Sequence, residues 1–158
     1  MANSQSMCTS FLGEILTATH NFGTAPLRAV TTADTFKAAL YLTSATINAA
    51  TTVYTTSGEV SGTNYVAGGV TVTNATPPTA TNASATAGVA FFTPSASIVY
   101  TTVTLTTAFD CVLIYNNSQG NKAVSAHTFG SQTITAGTFT LTMPANTTTT
   151  ALLRLATT

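Results

Sequence analysis

The chain is predicted to be all-β: an antiparallel β-sandwich or partial barrel carrying one short N-terminal helix. Three observations point there. Thirty-eight of the 158 residues are threonine, a β-branched residue that favours strands and is content at a wet face. From residue 35 onward apolar and polar residues alternate in short runs, the period of a half-buried strand. Turn residues separate those runs about every 8–12 positions, so about eight to ten strands fit a sandwich or barrel.

At this length one globular domain is expected, with a helix and arm over residues 1–34 and the β-sandwich over 35–158. The helix is read over 10–19. Phe11, Leu12, Ile15 and Leu16 form one helical stripe, Ser10 can cap its start, and Asn21-Phe22-Gly23 ends it. A helix this short needs a surface to lie against, either the end of its own β domain or a neighbouring subunit. His20, just after it, is placed to meet its last carbonyls. In 35–42, Phe36, Ala38, Leu40 and Leu42 share one face. Residues 51–73 hold short apolar bursts punctuated by Gly58, Gly62, Gly68 and Gly69. Residues 74–86 are Asn, Ala, Thr and Pro; Pro77-Pro78 excludes a helix, and the stretch reads as an extended loop or arm.

Later strands are stronger. Residues 89–93 and 97–106 each read as one. Residues 109–116 carry Phe109, Cys111, Leu113 and Tyr115 on one face and Val112 and Ile114 on the other, so this strand is expected at the sheet centre. A polar turn at 116–121 leads to 122–129, Gly130-Ser131 marks a further reversal, 138–143 alternates strictly, and 151–156 closes the chain. Phe36, Leu40, Phe91, Leu113, Phe139, Leu141 and Leu153 are expected to share one core.

Only eight residues are charged, four of each sign, against about a quarter in an ordinary soluble domain. A neutral surface favours self-association. The four basic residues, Arg28, Lys37, Lys122 and Arg154, lie far apart and aromatics do not interleave with them, so no nucleic-acid partner is expected. No run of about 18 apolar residues predicts a membrane span, and the first residues lack the pattern of a signal peptide. Cys111, inside an apolar run, is expected as a buried free thiol. Glu14, Asp34, Glu59 and Asp110 are not brought together by any motif, and neither His20 nor His127 has a second ligand at metal spacing. Asp110 is expected to pair with Lys122 across the turn, and His127 to be a hydrogen-bonded structural histidine. No nucleophile elbow, phosphate loop or dinucleotide fingerprint occurs. The expectation is therefore no enzyme activity, no cofactor and no metal.

Four segments, in order, carry a resemblance: Asp34-Thr35-Phe36-Lys37-Ala38-Ala39-Leu40-Tyr41-Leu42, then Glu59-Val60-Ser61-Gly62-Thr63-Asn64-Tyr65-Val66-Ala67-Gly68-Gly69, then Leu113-Ile114-Tyr115-Asn116, then Gly137-Thr138-Phe139-Thr140-Leu141-Thr142-Met143-Pro144. Over about residues 10–156 the chain resembles a family of small virion structural proteins of tailed bacteriophages, with Thr around 101–110 and 133–137 where the family carries more Asp and Arg. The resemblance implies a structural part of the phage particle, assembled in the host cytoplasm. A head decoration or cement protein is the first expectation, bound to other copies and to the major capsid protein. A tail or head–tail connector ring component, bound to tail proteins, is the alternative. A carbohydrate-binding module is disfavoured because the chain has no Trp. Intersubunit contact is expected at Phe11, Leu12, Ile15, Leu16, Pro77 and Pro78.

Overall fold

A computed structural model describes residues 3–8, 11, 15, 19–20, 22, 33–81 and 88–156. They form eight strands: β1 (Ser6–Met7), β2 (Phe36–Leu42), β3 (Val70–Val72), β4 (Thr79–Ala80), β5 (Val89–Phe92), β6 (Ile98–Asn116), β7 (Lys122–Leu141) and β8 (Leu153–Ala156). They make two antiparallel sheets, a five-stranded one ordered β1-β7-β6-β2-β3 and a three-stranded one ordered β4-β5-β8. The all-β expectation holds. Most of the expected helix lies outside the described residues.

β6 and β7 correct the strand reading. The runs at 97–106 and 109–116 are one strand of 19 residues, and those at 122–129 and 138–143 are parts of one strand of 20. Gly130-Ser131 is not a reversal. Phe109 pairs with Gln132 and Cys111 with Thr128, so two steps on β6 face four on β7, and residues 129–131 bulge out of the ladder. Glycine inside a strand marks a bulge as readily as a turn. Further register shifts fall between Tyr100 and Val103, between Val103 and Leu105, and between Leu105 and Phe109. Thr102 and Ala136 take positive φ, 53° and 47°, in this stretch.

These irregularities let the hairpin bend back on itself. Tyr100 is 14 residues from Ile114, roughly 45 Å along a straight strand. Ala38 pairs with Ile114, yet the Tyr100 hydroxyl donates to the Ala38 carbonyl at 2.8 Å. The first half of β6 therefore lies over the sheet that its second half helps to build, and one hairpin supplies both walls of the core.

Cys111, Val112, Leu113, Ile114, Tyr115 and Asn116 are all buried, as expected of a strand flanked by β2 and β7. Of the expected core, Phe36, Leu40 and Leu113 are fully buried, while Phe139, Leu141 and Leu153 pack half-buried against them. Phe91 departs from the expectation: its neighbour Phe92 is the buried one, because Phe92 stands on the inner face of β5 and Phe91 on the other. Cys8 and Cys111 are both buried and neither is in a disulfide, and burial pushes the Cys111 thiol up to about 12.

Candidate interaction surface

Three features of the fold bear on function: an apolar cleft, a polar clasp and an open strand edge. The cleft opens between the N-terminal segment and the small sheet, with a volume of about 160 Å³. Phe22 builds its floor, stacked on Phe36 at 4.4 Å and tilted against Phe92 at 5.0 Å. Phe11 meets His20 edge-on at 4.8 Å and Phe22 at 5.9 Å. Of the six residues expected to make intersubunit contacts, Phe11, Ile15 and Pro78 line this one cleft. Phe11 is itself buried within the chain, Ile15 is half-buried, and Pro77 and Pro78 are exposed. Leu12 and Leu16 lie outside the described residues.

The clasp centres on Glu59, between β2 and β3. Its Oε2 accepts from the Tyr54 hydroxyl at 2.6 Å, and its Oε1 accepts from the Tyr65 hydroxyl at 2.8 Å and the Gly68 N–H at 2.7 Å. The Tyr65 oxygen accepts in turn from the Leu40 N–H at 3.0 Å, which ties the segment to β2. Tyr115 donates to the Gly68 carbonyl at 2.8 Å and stacks on Tyr54 at 4.8 Å; Tyr65 stacks on Tyr100 at 6.0 Å. Tyr41 donates to the Thr55 carbonyl at 2.6 Å. All five tyrosines of the chain thus serve one clasp. Desolvation raises their phenols, Tyr115 to about 12 and the others further. Gly69 closes the segment at a φ of +72°, where a Cβ would run into the Ala38 carbonyl, so no other residue fits. No motif in the sequence marks Glu59 as the centre of this clasp, because its partners are set by the fold and not by a local spacing.

The other described carboxylates also turn inward. Asn116, fully buried, donates to Asp34 Oδ2 at 2.8 Å and to His20 Nδ1 at 3.0 Å, while its carbonyl oxygen accepts from the Ser118 and Gln119 N–H groups. Gln119 donates to Asp34 Oδ1 at 2.9 Å. His20 therefore sits against the β6–β7 turn; the last carbonyls of the expected helix lie mostly outside the described residues. Asp110 does not pair with Lys122. Lys122 stands opposite Asn116, six residues further along β6 and roughly 20 Å away. Asn3 instead donates to Asp110 Oδ1 at 2.7 Å. His127 is the hydrogen-bonded histidine expected, its Nε2 2.9 Å from Ser125 Oγ, and burial pulls it down to about 4. Among the described residues no three His, Cys, Asp or Glu side chains gather to hold a metal.

The open edge belongs to β7. One side of β7 pairs with β6 along its length; the other pairs with β1 only at Ser125 and Ala126. Beyond that point no described strand covers it. No Asp, Glu, Lys or Arg occurs between Lys122 and Arg154. Comparison with protein families, with curated proteins and with solved structures finds no match to this chain.

Proposed function

We propose that the chain is a non-enzymatic structural part of a tailed-phage virion, and within it a head decoration or cement protein that works in many copies. The observation that carries this reading is the long, exposed, charge-free edge of β7. Soluble proteins block such edges with Lys, Pro, inward charges or bulges; over residues 128–141 this chain has no charge and no proline, and its irregularities at 129–131 and Ala136 leave 137–141 free of them. The described carboxylates are spent on internal contacts with Tyr, Asn and Gln. What remains outside among the described residues is mainly Thr, Ser and Asn, with exposed Val53, Val66, Val99 and Leu155 and the charged Arg154 on β8. Such a surface adheres by backbone pairing and apolar burial, each contact weak and multiplied by symmetry. The placement in a virion is supported by the resemblance of segments 59–69 and 113–116, which meet in the clasp through Gly68 and Tyr115.

The test is a wash of purified particles across roughly 0.05 to 1 M NaCl, over which the screening length falls several-fold. The protein should stay bound throughout and leave with denaturant or heat. Release by salt alone would mean that a few charges hold the contact, against this reading.

A further inference from the structure

We propose that the edge of β7 over residues 137–141 pairs antiparallel with the same edge of a second copy of this chain, about a two-fold axis at Phe139. The proposal deepens the multimeric reading, on which it rests, by naming the surface and the partner.

Among the described residues no strand pairs with this edge there. Ile98, Val99 and Tyr100 pair in unbroken register with Leu141, Thr140 and Phe139, and the extra residue before the next pair, Val103 with Gly137, lies on β6 and not on β7. At one end the run stops at Ala136, whose φ of 47° kinks the strand, and at the other at the strand terminus, Leu141. Phe139 is the midpoint of what is left. Thr138 and Thr140 are exposed, while Phe139 and Leu141 are half-buried against the core. The backbone edge is therefore available without unfolding anything.

Symmetry selects the occupant. A two-fold axis at Phe139 sets Thr138 of one copy opposite Thr140 of the other, and an isologous contact repeats every such pair. A charge near the axis would meet its own like charge, which is destabilising directly across a strand pair. The run has no charge at all, and Thr–Thr is a favourable cross-strand pair. Charge complementarity is what steers a contact toward one unlike partner, and this edge carries none, so its pattern suits pairing with itself. The product is a continuous sheet in which two β6–β7 hairpins lie side by side.

Sedimentation velocity on the full chain tests this. Wild type is expected to sediment as a reversible dimer. T138K/T140K and T138E/T140E, both altered only at exposed positions, should keep the wild-type thermal midpoint of a monomer and associate about ten-fold or more weakly. An equimolar mixture of the two variants should restore a dimer at low salt, since each lysine then faces a glutamate. A wild-type chain that stays monomeric, a lysine variant that dimerises undiminished, or a mixture that fails to pair would each overturn the proposal. A dimer indifferent to these substitutions would sink this edge and leave the multimeric reading standing. Absence of the chain from purified particles would sink that reading whatever the sedimentation shows.

Discussion

Leu113 stands between Ala39 on β2 and Ala126 on β7, and all three are fully buried. One large side chain thus fills the space that two small neighbours leave, the pattern of a well-packed interior. Leu113→Ala would put three alanines in a row across the sheet, and the cavity has no flexible neighbour on either side to fill it. The expected loss is about 2–5 kcal/mol in urea unfolding. A loss below about 0.5 kcal/mol would place Leu113 outside the core. Glu59 carries a different kind of burden, since removing it strands two hydroxyls and one N–H at once. Glu59→Ala is expected to cost about 1–3 kcal/mol. Glu59→Gln should cost less, because its amide oxygen can still accept from Tyr65 and Gly68. Equal urea midpoints for wild type and Glu59→Ala would show that the clasp does not hold the segment in place.

At the scale of elements, the bent β6–β7 hairpin is the organising unit, and His127 reports on it. Burial lowers its folded-state value to about 4, below the ordinary value near 6.5. Between those two values the unfolded chain binds the extra proton and the folded chain does not. Its contribution to stability is therefore complete above about pH 6.5 and is lost as pH falls toward about 4. The thermal midpoint should decline across that window, and His127→Gln should flatten the decline; an unchanged slope in the variant would contradict the assignment. Much of this hairpin was legible in the sequence. The strand signals located stretches of both arms, 97–106, 109–116, 122–129 and 138–143, and apolar residues on both faces of 109–116 placed that strand at the centre. Its continuity was not legible, because Gly130-Ser131 serves a bulge as well as a turn and only the pairing partner decides between them. The same limit hid the neighbour of Asp110: a pairing with Lys122 looks local, whereas Asn3 arrives from 107 residues away. Adjacent Phe91 and Phe92 gave no alternation from which to choose the inner one. The clasp needed a segment folded back between β2 and β6, a contact that no local period records, although Phe11, Ile15 and Pro78, chosen from sequence alone, do converge on one cleft.

On the scale of the whole molecule, the scarcity of charge and the placement of what little there is act together. Asp34, Glu59 and Asp110 are each occupied by partners inside the chain, so among the described residues the exterior is mostly hydroxyls, amides and methyls, with Arg154 exposed on β8. A lone monomer of this kind has little to keep copies apart, and a strand edge that neither charge nor proline blocks. An assembly that holds many copies side by side turns both liabilities into contacts. The most direct measurement is the stoichiometry of this protein relative to the major capsid protein in purified phage particles. The account predicts a copy number of the same order as the capsid protein, constant from one preparation to the next. Absence from the particles, or only the few copies of a single ring, would contradict a decoration or cement role.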